Sequence, residues 1–227
     1  MGKLITLLSK HRSGLVREAL LVGVPMLAFL ALLVVVAKSA PTGFDRSLAG
    51  SLQSLSWGPQ TTLAGTISDV GGGPWGFYVI PALVAVFLAA KREWRLLVPL
   101  VAVFALHFVA ISPKAFIPAF RPSPEFGVLG AGGMESFPSG HSQWATSFYG
   151  LLAYIAWRRT GGNLRYLVIG LYAAVVILTM LSRIELGRHW PTDTVAGLLI
   201  GLVTLRLLIA LHSGAERWRP SPRTMAF

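Results

Sequence analysis

The feature that most limits what this chain can become is a set of long stretches without charge. Between Ala19 and Ala37 there is no ionisable side chain. A helix of ~20 apolar residues crosses the ~30 Å hydrocarbon core of a bilayer. Inside lipid the backbone must satisfy its own hydrogen bonds, and these runs lack the alternation of a barrel strand, so membrane helices are expected. Composition agrees: 54% of the 227 residues are hydrophobic and only 13% are charged, against roughly a quarter charged in a soluble domain. There are no cysteines, which excludes a disulfide framework and a thiolate metal site.

The pattern predicts an all-α polytopic membrane protein, one domain over residues 1–227 with six transmembrane helices at about 19–37, 75–90, 96–117, 142–157, 164–181 and 191–211. A short amphipathic stretch from Phe44 to about Trp57, then a Gly71-Gly72-Gly73-Pro74 turn, separates the first two. The first span has a basic start and an Ala37-Lys38-Ser39 ending like a signal-peptide cleavage site, but its apolar run is long for that and reads as a retained anchor. The net charge of +11 has a topological explanation and calls for no nucleic-acid partner. Lys3, Lys10, Arg12 and Arg17 precede the first span; Lys91, Arg92 and Arg95 follow the second; Arg158, Arg159 and Arg165 follow the fourth; Arg217, Arg219 and Arg223 follow the sixth. With six spans all four groups fall on one side. The positive-inside rule makes that side the cytoplasm and puts both termini there. Arg206, inside the last span, is expected to snorkel to the inner interface.

The remaining polar residues gather in two connections. Lys114, Arg121-Pro122 and Pro138-Ser139-Gly140-His141 lie between the third and fourth spans, and Ser182-Arg183, His189 and Asp193 between the fifth and sixth. By parity both connections emerge on the extracytoplasmic face. Three fixed cations, Lys114, Arg121 and Arg183, suit a multiply charged oxyanion, which arginine meets with paired donors. Ser139-Gly140 before a helix start offers free amides for an anion. Two histidines supply one nucleophile and one proton donor. Asp193, four residues after His189 at a helix opened by Pro191, can reach back to the imidazole and fix its tautomer.

These three motifs, at these spacings and in this order, resemble the signatures of the type 2 phosphatidic acid phosphatase (PAP2) superfamily, over about a third of the chain. The resemblance implies a membrane-bound, bacterial-type lipid phosphatase of the inner or plasma membrane. It implies His189 as the nucleophile that forms a phosphohistidine, Asp193 as its activating partner, and His141 as the general acid that protonates the leaving alcohol and then activates water. Lys114, Arg121, Ser139, Gly140 and Arg183, with Ser182 by proximity, would hold the phosphate. The family works without metal or cofactor, and no carboxylate cluster suited to Mg²⁺ is apparent in the sequence. Substrates would be phosphatidic acid, phosphatidylglycerol phosphate or a polyprenyl diphosphate such as undecaprenyl diphosphate, with tails left in the surrounding lipid.

Other residues have plainer explanations. His11, His107 and His212 read as interfacial or core histidines, and Glu125, Glu135 and Glu185 as solvated acids. Trp57, Trp75, Trp144, Trp157, Trp190 and Trp218, near expected boundaries, fit an aromatic belt. The Gly71–Pro74 turn borders the second span and is a candidate edge of the substrate entrance. Two rival functions carry the same motifs: a lipid phosphotransferase that passes the phosphoryl group to an alcohol, and a binder or transporter of phospholipid without turnover. Soluble vanadium haloperoxidases share the site, but six spans argue against that reading.

Overall fold

The uncharged runs fold as helices. The computed structural model describes residues 2–39, 41–54 and 60–217. Among these the protein is all-helical: α1 Gly2–Ser39, α2 Gly43–Ser54, α3 Gln60–Gly71, α4 Ile80–Ala90, α5 Trp94–Ile111, α6 Gly140–Trp144, α7 Gly150–Arg159, α8 Leu164–Glu185 and α9 Pro191–Arg217. A π-helical turn at Trp75–Val79 leads into α4, and another at Ala145–Tyr149 joins α6 to α7. The expectations for Trp57, Trp218, Arg219 and Arg223 lie outside the described residues, as do the side chains of Lys3, Lys10, His11, Arg12 and Arg217.

Among the described residues, five segments are long and apolar enough to cross a membrane: Val16–Lys38, Thr62–Ala90, Trp94–Ala115, Leu164–Glu185 and Pro191–Gly214. Two differ from expectation in an informative way. The second begins at Thr62, not near 75, because α3 runs into the glycine turn and α4 resumes beyond it. The rod 140–159 is helical and, at 1.5 Å per residue, about 30 Å long. It is nonetheless too polar to meet the apolar standard. Its Ser142, Gln143, Thr146 and Ser147 are all buried, so its polar side chains face protein, where they find partners, and not lipid.

Backbone groups released by the irregular turns are satisfied from neighbouring helices. Pro74 has no N–H, so the carbonyl of Val70 loses its helical donor; the Tyr149 hydroxyl donates to it instead. Trp144 Nε1 donates to the Gly76 carbonyl at 2.9 Å, and the Tyr172 hydroxyl to that of Thr146 at 3.1 Å. Trp144 is therefore fully buried in a cluster with Phe77, Val103, Phe148 and Leu208. Trp190 is buried as well, its Nε1 donating to the Phe120 carbonyl at 2.7 Å. Neither belongs to an interfacial belt, while Trp75 remains exposed.

The rod 140–159 lies close against α9 because two glycines allow it. A Cβ on Gly197 would sit 2.5 Å from the Ser139 carbonyl oxygen, and one on Gly201 would sit 2.7 Å from Thr146 Cβ. This four-residue spacing of small residues is how membrane helices approach backbone to backbone. On the other side of α9, Arg206 pairs with Glu18 of α1, so this charge has a protein partner and does not depend on snorkelling alone.

The amphipathic α2 is fastened across the molecule. Asp45, fully buried, accepts from Thr192 N at 2.9 Å and Thr192 Oγ1 at 3.1 Å, as well as from Thr42. Gln53 Nε2 donates to the carbonyls of Leu129 and Ile184 at 3.0 and 3.2 Å, and its Oε1 accepts from Leu129 N at 2.8 Å.

Close approach at Gly201 predicts a clear contrast. Gly201→Ala should destabilise the detergent-solubilised protein by about 1–3 kcal/mol through overpacking. Gly170→Ala, where no atom lies within 4 Å, should be neutral or stabilising by up to about 1 kcal/mol through helix propensity. Thermal unfolding of the two variants checks this; equal midpoints would show that α9 can move away at no cost.

Candidate active site

Four helix ends converge. Lys114 sits in the 3₁₀ turn Ser112–Ala115 after α5, His141 at the start of α6, Arg183 in the last turn of α8, and His189 and Asp193 around the start of α9. The long connection after α5 then folds back over them. Lys114 Nζ donates to the carbonyls of Glu135 and Ser136 at 2.8 and 3.2 Å. Arg121 donates from Nε to Met134 O at 3.2 Å, from one terminal nitrogen to Glu135 O at 3.4 Å, and from the other to Arg188 O at 2.7 Å. Glu135 adopts φ 63° and Gly133 φ 99°, a left-handed bend that turns successive carbonyls toward the two cations. For a non-glycine residue this conformation costs on the order of 1–2 kcal/mol, so the bend is held by what its carbonyls bind. It is the backbone carbonyl of Glu135 that accepts from both cations.

Ser139 caps α6. Its Oγ accepts from Ser142 N at 3.5 Å and from Ser142 Oγ at 3.2 Å, and its own N–H donates to the Asp193 carbonyl at 3.0 Å. This last bond ties the second motif directly to the third. Gly72, from the turn after α3, lies so close to His141 that a Cβ there would be 2.9 Å from His141 Cα. The glycine turn thus borders the site, as its position suggested.

The aspartate does not bond the histidine directly. His189 Nδ1 stands 3.6 Å from Asp193 Oδ2, beyond hydrogen-bond range. Asp193 Oδ2 instead accepts from Trp190 N at 2.8 Å and from Ser136 Oγ at 2.5 Å, while Ser136 Oγ lies 3.4 Å from His189 Nδ1. A hydroxyl has one proton, and Ser136 spends it on the carboxylate. It can only accept from the imidazole, so Nδ1 carries hydrogen and Nε2 keeps its lone pair. Ser136 is fully buried and was not among the expected residues. Its place two residues before Pro138 was the available signal, but a lone serine in a loop has no distinguishing pattern.

Ser182 does not join this group. Its hydroxyl donates to Thr179 O at 2.8 Å within its own helix, and it lines an apolar groove with Leu63 and Leu178. His107 is a satisfied core residue, with Nδ1 2.5 Å from Gln143 Oε1. Thr204 donates its own proton to Ile200 O and Ser147 to Trp144 O, so both accept from Gln143 Nε2. That orients the amide oxygen toward His107.

Burial and the cations around the site act together on the imidazoles. Burial first, then Lys114, Arg183 and Arg121, hold His189 well below the ordinary histidine range. Burial, then Arg183 and His189, push His141 down as well. Both shifts favour the neutral imidazole over the charged one. An anion in the site would offset part of the cations' field and favour the protonated form of His141.

The chain is similar to several known proteins. A model of the PAP2 superfamily matches residues 96–217. Decaprenylphosphoryl-5-phosphoribose phosphatase of Mycolicibacterium smegmatis is 34% identical over 161 residues, 70% of this chain and 83% of that one. Phosphatidylglycerophosphatase B of Bacillus subtilis is 31% identical over 104 residues, 44% of this chain, and the match spans only 50% of that relative's length. The crystal structure of a transmembrane PAP2-type phosphatidylglycerolphosphate phosphatase from Bacillus subtilis superposes with a TM-score of 0.64 at 22% identity, over 85% of this chain and 98% of that one. At that identity the likeness shows a shared fold.

The neutral histidines have a consequence for stability. Their folded pKa values lie below the unfolded value of about 6.5, so below that pH the unfolded chain binds protons that the folded one does not. The thermal midpoint should therefore fall as pH drops below about 6.5. A variant carrying His141→Gln and His189→Gln should lose less over the same range. Parallel pH profiles for the two proteins would mean that the imidazoles charge in place.

Proposed function

The chain belongs to the PAP2 superfamily, and from that premise we propose that it is a metal-independent phosphatase acting on lipid phosphates or diphosphates through a phosphohistidine intermediate. The observation that carries this reading is the array of His189, Ser136 and Asp193 set beside Lys114, Arg121 and Arg183. A protein that only binds phosphate has no use for a buried imidazole whose Nδ1 is tied up and whose Nε2 is free.

In the proposed reaction His189 Nε2 attacks phosphorus, with Lys114, Arg121, Arg183 and the amides at Ser139–Gly140 holding the phosphoryl oxygens. The bond to the leaving oxygen breaks, and His141 gives that oxygen a proton. Asp193, through Ser136, meets the positive charge that forms on His189. Water then attacks the phosphohistidine, His141 takes its proton, the P–N bond breaks and phosphate leaves. Fixed cations here supply the charge stabilisation that a metal provides elsewhere. Ser182, turned into its own helix, is left out of the phosphate-binding set.

We place the protein in the cell membrane, counting residues 142–157 of the rod as a sixth span, with both termini cytoplasmic and the site extracytoplasmic. Supporting this, Arg159 and Glu93 pair at 2.9 Å, so two basic connections meet at one end of the bundle while the motifs meet at helix ends of the other. The relatives named above act on phosphorylated lipids by their names, and an amphiphilic substrate with tails in the bilayer suits a site at membrane-helix ends.

The test is phosphate release by the purified protein in detergent with EDTA, using phosphatidic acid, phosphatidylglycerol phosphate and a polyprenyl diphosphate. Release should survive EDTA and be abolished in His189→Ala. His141→Ala should slow natural substrates far more than p-nitrophenyl phosphate, whose leaving group needs no proton. Asp193→Asn should reduce mainly kcat, and Ser136→Ala should do the same by about tenfold. A product that requires an added alcohol would make the protein a transferase, and folded protein that binds these lipids without release would make it a binder.

A further inference from the structure

Arg121 and Arg183 face a cavity of about 570 Å³ whose remaining lining lies outside the three motifs. Arg121 and Arg183 line it from the motif side, Ser68 and Asp69 from α3, and Arg188 from the turn before His189. Arg188 belongs to no motif. Its carbonyl accepts from Arg121 at 2.7 Å, so its backbone is fixed while its exposed side chain reaches the cavity. Arg183 is anchored on Ser68 Oγ at 2.6 Å, and its Nε is buried without a hydrogen-bond partner. The wall formed by α3 continues into Gly72, which presses on His141.

Charge indicates what would fill it. A phosphate monoester carries at most two negative charges, and Lys114, Arg121 and Arg183 already exceed that. Arg188 adds another guanidinium, and among the described lining residues Asp69 is the one acid that opposes it. A large, net cationic extension with paired donors suits a second phosphate. We propose that this cavity is a second-phosphate subsite, in which Arg188 binds the phosphate that remains with the lipid when a diphosphate is cleaved. The inference rests on the phosphatase reading and narrows its substrate class to lipid diphosphates. His189 Nε2 attacks the terminal phosphorus, and the bond from that phosphorus to the bridging oxygen breaks. The electron pair stays on the former bridging oxygen, now part of a lipid monophosphate whose charge Arg188 meets. Water then releases the terminal phosphate from His189 as inorganic phosphate, its proton passing to His141.

The experiment compares farnesyl diphosphate with farnesyl phosphate, which share a tail, using the purified full chain in detergent with EDTA. Arg188→Gln should lower the ratio of kcat/KM for diphosphate over monophosphate by roughly 10- to 100-fold, the scale of a lost charge-assisted contact. Arg188→Lys, which keeps the charge without the fork, should recover part of that ratio. An equal loss on both substrates, or a loss on neither, would overturn the subsite. Wild-type turnover of the monophosphate alone would overturn it too, while leaving the phosphatase reading intact. Release from neither substrate would remove both.

Discussion

Positive charges brought together at the end of a helix bundle repel one another, and in this protein backbone carbonyls hold them in place. Lys114 donates to two carbonyls and Arg121 to three, sharing that of Glu135, and all but one of these five bonds go to residues 134–136. A hydrogen bond to a charged group contributes about 1.5–3 kcal/mol. Like charges at contact range in a site of effective dielectric ~20 cost a few kcal/mol, so such grips are of the right size to oppose the repulsion. Carbonyls carry no net charge, so these grips leave the positive charge of the cations available to an anion. The left-handed bend at Glu135 follows from the same need. Carbonyls on successive residues can aim at one region only if the chain turns abnormally between them.

The helices around this cluster depart from regularity where the site requires it. The glycine turn before Pro74 lets α3 and α4 form one long rod while bringing Gly72 against His141. The carbonyls that the break and the π turns release are taken by Tyr149, Trp144 and Tyr172, so the irregularities cost few unmade hydrogen bonds. The rod 140–159 sits close to α9 at Gly197 and Gly201, and this proximity lets the Ser139 amide reach the Asp193 carbonyl. Packing between the long helices and geometry among the motif residues thus depend on the same few small residues.

Much of this was legible in the sequence, for identifiable reasons. Helices follow from uncharged runs, and the convergence of two connections follows from counting spans. The pairing of His189 with Asp193 was visible as a four-residue spacing at a helix start, although the contact runs partly through Ser136. Features depending on the backbone were not visible. Carbonyls of residues 134–136 have no side-chain signature, and any residue could supply them. The helix α3 was missed because Thr62, Thr66, Ser68 and Asp69 interrupt its apolar pattern, and two of these, Ser68 and Asp69, are polar because they line a cavity. The rod 140–159 failed as an apolar run for a related reason: its polar residues are paired inside the protein. Trp144 and Trp190 read as belt residues because proximity to a boundary says nothing about the direction in which a side chain points.

The bonds from Asp45 to Thr192 bear on how the enzyme would be altered by chance. Thr192 is one residue from Asp193, so the carboxylate beside Ser136 and His189 takes its bearing from an amphipathic helix 147 residues earlier in the chain. Asp45 has no chemical part in the reaction and belongs to none of the three motifs. A change there would nonetheless be read in an activity screen as damage to the catalytic machinery. The functional boundary of the site is drawn by mechanical attachment, and it encloses a stretch of protein that motif matching leaves outside.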